Sequence, residues 1–433
     1  MKMKKQLITF CLLSGMLLPA SAQTYETQFR RSVSDIMARV AQRFDVKFKF
    51  DMDTTNLSLP YADFRVRPYS LEQTLDNICK YFDWNWWLQN DGRTYKIKRY
   101  EYPRRHTDDG RQMLEWLSKK YSNAQEWEQR RDVLRREVRQ LLGIDQYLAG
   151  RTQGAKPVFG KVMKHDGYTT QNYSWELYPG EHIFGTIYTS LKKGKKPLII
   201  CPDGHWPSRY RKDEQQRLGT LARMGAICVD FDLYGYGQSK AEVPLHNVPR
   251  AHVYQAACGL LMLDYMAQNR KDVDLERIGV NGGSGGGTHT VLLTLLDPRV
   301  SASAPVVHIA SHFDGGCPCE SGMPVQLAGD GTCEAELACM LAPKPLLVVS
   351  DGGDWTASTP QLEFPFMQRI YGFYGAEQNI RNTHLPTEGH NFGPNKRKPV
   401  YEFFADVFGL DRTMMDEKKV EILTPEQLQS NLK

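Results

Sequence analysis

The chain has 433 residues, of which 41% are hydrophobic and 24% are charged. This composition is typical of a soluble globular protein, and the length is sufficient for two domains. The formal net charge of +5, without a dense block of lysine and arginine, argues against nucleic acid as a partner. No stretch reaches the roughly 18 apolar residues that a membrane-spanning helix needs.

The first 22 residues have the pattern of a secretory signal peptide. A basic end at residues 2–5 precedes an apolar stretch at residues 7–18, and residues 20–22 (Ala-Ser-Ala) form a small-x-small cleavage site. The apolar stretch is too short to cross a bilayer. We therefore expect cleavage after Ala22 and a periplasmic or secreted protein.

Residues 24–102 predict a small α+β domain. Apolar residues recur at helical spacing over residues 29–44 and again behind a capping box at residues 70–73. An Asn-Asp-Gly turn at residues 90–92 predicts a closing hairpin.

This order of elements resembles the short N-terminal domain of secretins and TonB-dependent receptors. The residues that carry the resemblance are 36–44, 70–76 and 95–97. The resemblance implies a contact with another protein of the cell envelope. A domain that only stabilises the rest of the chain would explain the same pattern.

Residues 103–156 are charged and carry two apolar stripes at helical spacing, which predicts a helical connector. From residue 157, two strand-like runs flank Pro179-Gly180 and predict an antiparallel pair. Short apolar runs separated by helical stretches then predict a mostly parallel sheet with helices on both faces. These runs lie at residues 197–201, 226–229, 278–280, 304–307 and 346–349. The fold class is therefore α/β over residues 157–412, followed by a tail at 413–433.

A glycine-lined turn at residues 282–286 (Gly-Gly-Ser-Gly-Gly) lies between a predicted strand and a predicted helix. Such a turn exposes the oxygen of its serine, Ser284, in the geometry of a nucleophile elbow. A glycine-rich turn of a nucleotide-binding fold is the alternative. No acidic residue stands at the ribose-binding distance after it, which argues against that alternative.

A serine nucleophile needs a histidine base that is oriented by a carboxylate, and in α/β-hydrolases the three follow in the order serine, acid, histidine. Asp351 and Asp354 both follow the strand-like run at 346–349. We favour Asp354 by its position further out on the loop. His390, in a polar loop before a helix, fits the base better than His384 or His289.

The oxyanion site requires two N–H donors aimed at the developing charge. Gly285, which follows the nucleophile, is expected to supply one of them. The second is expected from the backbone of His205 or Trp206, in the loop after the strand-like run at 197–201.

The cysteines do not predict a metal site. The cluster Cys317, Cys319, Cys333 and Cys339 could form a disulfide, but spacing does not fix the pairing. The Cys-Pro-Cys sequence lacks the two-residue gap that is usual for zinc, and no His-x3-His follows. We expect neither a metal nor another cofactor.

Residues from about 110 to 410 resemble α/β-hydrolases of the acetyl xylan esterase type, a family of bacterial carbohydrate esterases. The resemblance is carried by residues 201–206, 232–239, 282–286, 315–324 and 350–356. It implies a serine carboxylesterase that acts on an esterified plant polysaccharide, with Ser284, Asp354 and His390 in the catalytic positions. It also implies that residues 317–320 lie near the mouth of the active site.

The ester itself stays open between an acetyl group on a plant glycan and the methyl ester of a uronic acid in pectin. Arg209 and Arg211 would favour an acidic sugar if they face the cleft, and Trp206, Glu320 and Trp355 are further candidate substrate contacts. Two other classes remain. A serine peptidase would need a pocket for a peptide terminus that the sequence does not reveal. A binding protein without activity would not need all three triad residues.

Overall fold

The computed structural model describes residues 29–99, 105–205, 208–317, 320 and 325–430. The predicted signal peptide, Trp206 and Cys319 lie outside these residues. The chain divides into two compact units, Met1–Glu101 and Tyr102–Lys433. Within the described ranges, no helix has both the length and the apolar character to cross a membrane.

The first unit contains short helices and two small sheets. Strands β1 (Arg31–Ser32) and β3 (Ser58–Leu59) pair antiparallel, and β2 (Lys47–Phe50), β5 (Thr94–Arg99) and β4 (Trp84–Leu88) form a three-stranded sheet in that order. The helices are Val33–Phe44, Ala62–Arg65 and Leu71–Cys79. Their apolar faces and the sheet bury one core, which includes Ile36, Val40, Leu75, Ile78 and Ile97.

Local sequence signals determine these elements. Ser32 and Ser70 cap the two longer helices, since their hydroxyls accept hydrogen bonds from the amides of Asp35 and Gln73. Strands β4 and β5 form the hairpin predicted around residues 90–92. The resemblance of this unit to the secretin and TonB-receptor domain stays a prediction.

In the described part of the second unit, nine strands form one sheet in the order β14-β13-β12-β11-β9-β10-β8-β7-β6. The strands from β9 to β14 pair with each other in parallel, whereas β6, β7 and β8 are antiparallel. Their bounds are β6 Val158–Lys164, β7 Tyr168–Tyr178, β8 Glu181–Ser190, β9 Lys196–Ile200, β10 Ile227–Val229, β11 Val273–Gly283, β12 Ala302–Val306, β13 Leu346–Asp351 and β14 Ile380–Leu385.

Helices cover both faces of this sheet because successive strand residues bury into two different cores. Leu198 and Ile200 belong to one core, and Ile199 and Cys201 belong to the other. Helices Lys212–Met224 and Pro394–Phe408 pack on the second core. The helices that pack on the first core are Thr107–Ser118, Ala124–Leu142, Ile144–Ala149, Pro249–Asn269, Gly285–Leu296, Glu334–Ala338 and Glu363–Gly372. The predicted α/β class with helices on both faces is confirmed.

Both segments that flank the predicted catalytic region share its cores. In the segment predicted as a connector, Trp127, Leu134 and Val138 are buried in the first core. In the predicted tail, Val420 packs in the second core, and a short helix, Pro425–Leu428, has Leu428 fully buried. These segments are therefore part of one folded unit with the sheet.

Candidate active site

Ser284 occupies the sharp turn between β11 and the helix Gly285–Leu296. Its backbone lies at φ 56° and ψ −122°, a conformation that costs a non-glycine residue on the order of 1–3 kcal/mol and is held only by its surroundings. The backbone of the loop after β9 packs closely against this turn. A Cβ at either Gly282 or Gly286 would lie 2.3 Å from the carbonyl oxygen of Pro202, so both positions require glycine.

Three predicted residues meet in one hydrogen-bonded chain. The Ser284 Oγ lies 2.9 Å from the His390 Nε2, and the His390 Nδ1 lies 2.6 Å from the Asp354 Oδ2. A carboxylate only accepts hydrogen bonds, so the Nδ1 carries the proton and the Nε2 is left to accept the serine proton. Ser284 and the Asp354 side chain are buried, whereas the His390 side chain is 28% exposed.

The two oxygens of Asp354 have separate partners. Its Oδ1 accepts hydrogen bonds from the amide and the hydroxyl of Thr356, both at 2.6 Å. This leaves the Oδ2 for His390 and fixes the carboxylate at the start of the turn Trp355–Ser358. The geometry required of a triad acid is therefore present at Asp354.

Asp351 faces a different partner. Its carboxylate lies 2.9 Å from the Nζ of Lys396, and both side chains are fully buried. Burial raises the pKa of Asp351, and the charge of Asp354 raises it further, while Lys396 opposes the shift. Lys396 also donates to the carbonyl oxygen of Gly389, at 2.7 Å, and so ties Asp351 to the loop that carries His390.

Trp355 packs on the catalytic histidine candidate. Its ring centroid is 4.5 Å from that of His390, and on its other side it lies 4.0 Å from Phe313. The indole nitrogen donates to the carbonyl oxygen of His308 at 3.2 Å. The sequence suggested Trp355 as a substrate contact, but these contacts also make it a support for the imidazole.

Glu320 and His205 lie beside Ser284. The Ser284 Oγ is 3.4 Å from the Glu320 Oε1, and the other oxygen of Glu320 accepts the amide of Gly316 at 2.8 Å. The His205 ring packs on Gly285, because a Cβ there would lie 2.8 Å from the His205 Cε1. The supply of oxyanion N–H donors by Gly285 and by His205 or Trp206 stays a prediction, and Trp206 lies outside the described residues.

Charge and hydrogen bonding raise the pKa of His205. Burial by itself would lower the pKa, but the hydrogen bond with Cys317 and the charges of Glu320 and Cys317 outweigh that effect. His205 therefore lies beside Gly285 and interacts there with a carboxyl group, Glu320, and a thiol, Cys317.

The prediction that Arg209 contacts substrate is wrong. Its side chain is fully buried, and it donates to Asp232 at 3.0 Å, to Thr186 at 3.1 Å and to Gln238 at 2.6 Å. The Arg209 guanidinium pairs with the carboxylate of Asp232 in the interior, because an unpaired buried charge is costly. Arg211 is partly exposed and pairs with Asp213 at 2.8 Å, so its contact with substrate stays a prediction.

The two other histidines considered from the sequence have structural surroundings. The Nδ1 of His384 lies 2.8 Å from the hydroxyl of Ser350. His289 is fully buried, with its Nε2 2.7 Å from the side-chain nitrogen of Gln255. Neither lies in the hydrogen-bonded chain of Ser284.

Every residue of this site follows the carboxyl end of a parallel strand. His205 follows β9, Ser284 follows β11, and Glu320 follows β12, while Asp354 and His390 follow β13 and β14. Side chains at these ends converge at one edge of the sheet. Lys396 was missed by the sequence analysis, since its pairing with Asp351 joins separate parts of the chain and leaves no local spacing.

Comparisons with known proteins find esterases among the proteins similar to this chain. A solved structure, the methylesterase BT1017, is 56% identical to this chain, covers 94% of it and 92% of its own length, and superposes with a TM-score of 0.90. A second solved structure, a glucuronoyl esterase from Solibacter usitatus, is 13% identical over 65% of this chain and 93% of its own, with a TM-score of 0.48.

A curated relative, the acetyl esterase Axe7A of Xylanibacter ruminicola, is 26% identical over 172 residues. That match covers 34% of this chain and spans 38% of the length of the relative. No protein-family model matches the chain.

Proposed function

The chain belongs to the esterase family of the methylesterase BT1017 and is a carboxylic ester hydrolase of the carbohydrate esterase kind, and from this premise we propose that it demethylates uronic-acid methyl esters in a plant polysaccharide such as pectin. The observation that carries the proposal is the likeness to a methylesterase over nearly the whole chain, at 56% identity and a TM-score of 0.90. The hydrogen bonds of His390 with Ser284 and with Asp354 support a serine-nucleophile mechanism.

In the proposed mechanism, the Ser284 Oγ attacks the ester carbonyl as its proton passes to the Nε2 of His390. Asp354 holds the Nδ1 proton and stabilises the imidazolium that forms. Collapse of the tetrahedral intermediate breaks the bond to the methoxy group, which takes the proton from His390 and leaves as methanol. The uronoyl group stays bound to Ser284 as an acyl-enzyme.

In deacylation, water takes the place of Ser284 as the nucleophile. His390 takes a proton from water, the water oxygen attacks the uronoyl carbonyl, and the Ser284 oxygen is released with the proton. The Gly285 amide, at the N-terminus of the helix Gly285–Leu296, supports the oxyanion in both steps. The products are methanol and a uronate carboxylate on the polymer.

The carboxyl group of Glu320 lies 3.4 Å from the Ser284 Oγ, close to where the acid product leaves the acyl-enzyme. When it is ionised, a neutral methyl ester meets no repulsion from it, whereas the uronate product carries a like charge. In the acetyl candidate the acid released from Ser284 is acetate, which carries the same charge, so this contact does not separate the two candidates. We infer that Glu320 assists release of the demethylated product.

Removal of acetyl groups from a plant glycan is the second candidate. It is favoured by the 172-residue match to an acetyl esterase and uses the same three residues. Here the acyl group on Ser284 would be acetate, and the sugar hydroxyl would leave. The two candidates therefore differ in which side of the ester bond the polymer occupies.

The experiment is to incubate the purified protein with methyl-esterified galacturonan and with acetylated xylan, and to measure methanol and acetate. We expect methanol release, with Ser284→Ala and His390→Ala lowering it by at least about 10⁴-fold. Acetate release without methanol would replace the proposal by the second candidate. Full activity in Ser284→Ala would contradict the assignment of the nucleophile.

We also propose that the protein acts in the periplasm or outside the cell, in line with the basic, apolar and small-x-small pattern of residues 1–22. Polymeric pectin fragments would meet the enzyme there. The contact of the first unit with an envelope protein is a further part of this proposal, supported by its resemblance to domains of envelope proteins.

A further inference from the structure

Three potential metal ligands from separate loops meet beside the nucleophile. His205 follows β9, His246 precedes the helix Pro249–Asn269, and Cys317 follows β12. The Cys317 Sγ lies 3.0 Å from the Nε2 of His205 and 3.4 Å from the Nε2 of His246. One ligand atom from each residue lies within 4.8 Å of the other two, which no other group of histidine, cysteine and acidic side chains matches among the residues with described positions.

The donor set suits zinc. Two imidazole nitrogens and one thiolate are ligands that zinc binds in proteins, with Zn–N near 2.0–2.1 Å and Zn–S near 2.3 Å. In a tetrahedral site these lengths place nitrogen and sulfur about 3.6 Å apart. The two observed nitrogen–sulfur separations, 3.0 and 3.4 Å, lie within about 0.6 Å of that value.

The surroundings of His246 prepare it as a ligand. Its Nδ1 lies 2.5 Å from the carbonyl oxygen of Tyr234. A carbonyl oxygen only accepts hydrogen bonds, so the Nδ1 of His246 is the donor and the Nε2 presents a lone pair toward Cys317 in the neutral ring. Metal-bound histidines characteristically donate their second nitrogen in this way.

A carboxylate lies near His205 at ion-pair distance. Its Nδ1 lies 3.6 Å from the Oε1 of Glu320, while its Nε2 faces Cys317. The ring of Tyr236 packs edge-on against both imidazoles, with its centroid 6.2 Å from His205 and 4.8 Å from His246. Two oriented imidazoles thus face one sulfur from different loops.

We propose that His205, His246 and Cys317 bind one Zn²⁺ ion through His205 Nε2, His246 Nε2 and Cys317 Sγ. All three residues are half-buried, and a tetrahedral ion held by them would take one further ligand. The ion would join three loops beside Ser284 and fix the His205 ring on Gly285. The sequence predicted no metal, because cysteine spacing alone carries no sign of the two histidines.

The test measures metal rather than ester hydrolysis, so its outcome is independent of the proposed function. The purified protein is stripped with a chelator, dialysed and titrated with Zn²⁺ against a chromophoric competitor, and bound metal is measured by mass spectrometry. We expect one Zn²⁺ per chain. Co²⁺ in its place should give a thiolate-to-cobalt charge-transfer band.

Cys317→Ser and His246→Gln should each weaken Zn²⁺ binding by more than the roughly 100-fold that loss of an outer partner costs, and Cys317→Ser should abolish the charge-transfer band. His182→Gln is the matched control, since His182 is also half-buried and pairs with a carboxylate, Glu242, at 3.0 Å. The control should bind as the wild type does. Circular dichroism establishes that each variant is folded.

Two results would overturn the proposal. One is substoichiometric zinc in the wild-type protein at saturating concentration. The other is equal affinity in the wild type and in both folded ligand variants. The chelator experiment on wild-type protein needs no substitution, so it decides the question even if a variant does not fold.

Discussion

Asp351 and Asp354 show how neighbours assign different tasks to identical side chains. Asp354 has one oxygen engaged by Thr356 and the other by His390. Asp351 pairs with the buried ammonium of Lys396. One carboxylate therefore orients a base, and the other neutralises a charge inside the protein.

Asparagine at these two positions separates the roles. Asp354→Asn should lower kcat for ester hydrolysis by about 10⁴-fold, because an amide no longer holds the Nδ1 proton of His390, and it should leave the unfolding transition nearly unchanged. Asp351→Asn should instead lower the free energy of unfolding by about 3 kcal/mol, because the buried Lys396 would then keep only the partly exposed carboxylate of Glu388, 3.3 Å away, as a counter-charge.

Steady-state kinetics and urea unfolding of both variants check this. If Asp351→Asn loses turnover and Asp354→Asn loses only stability, the two assignments are exchanged.

The sequence was informative about the three residues of the hydrogen-bonded chain and poor about the residues that support them. Ser284, Asp354 and His390 could be found because each follows a strand in a known order. Lys396 and Trp355 owe their roles to contacts that form only when loops after different strands meet, so no spacing encodes them. Arg209 was misassigned because its burial depends on Asp232, 23 residues away along the chain.

At the scale of elements, the turn between β11 and the helix Gly285–Leu296 is confined by a second loop. The Pro202 carbonyl oxygen, after β9, lies where a side chain at Gly282 or Gly286 would begin. This contact joins the turn that carries the nucleophile to the loop that carries His205. The strained backbone of Ser284 is held from outside its own strand and helix.

Gly286→Ala should therefore lower the free energy of unfolding by at least about 3 kcal/mol, because the new Cβ would meet backbone that has little freedom to move. Gly375→Ala is the control: its φ of +61° is unfavourable for alanine, but open space surrounds it. We expect about 1 kcal/mol there. Thermal unfolding measures the loss of stability in both variants. Equal losses would mean that the loop after β9 moves to accommodate the new side chain at position 286.

At the scale of the molecule, two buried carboxyl groups couple stability to pH. Burial raises the pKa of Asp314 to about 7, although the charge of Arg105 opposes the shift. Burial likewise raises the pKa of Asp230 to about 7 against the charge of Arg209. Between the unfolded pKa near 4 and the folded pKa near 7, the folded state holds more protons than the unfolded state.

The free energy of unfolding should therefore fall as the pH rises from about 5 to about 7 and level off above that. Asp314→Asn should flatten this slope, removing a contribution of up to about 4 kcal/mol. Asp411→Asn is the control, since hydrogen bonds from Lys192 and Thr413 lower the pKa of this exposed group to about 2. The contribution of Asp411 to the free energy of unfolding changes only below pH 4. The Asp411→Asn variant should therefore show the same pH dependence of stability as the wild type over pH 5 to 8.

Urea unfolding at several pH values measures both slopes. A wild-type free energy of unfolding that rises with pH over this range would contradict the raised pKa values of Asp314 and Asp230.

The division of the large sheet also bears on how such an enzyme can diversify. All the site residues follow strands between β9 and β14, whereas β6, β7 and β8 contribute none of those described above. The antiparallel half therefore supports the sheet without supplying a described site residue. Laboratory evolution of substrate range can therefore be concentrated on the loops that follow the parallel strands.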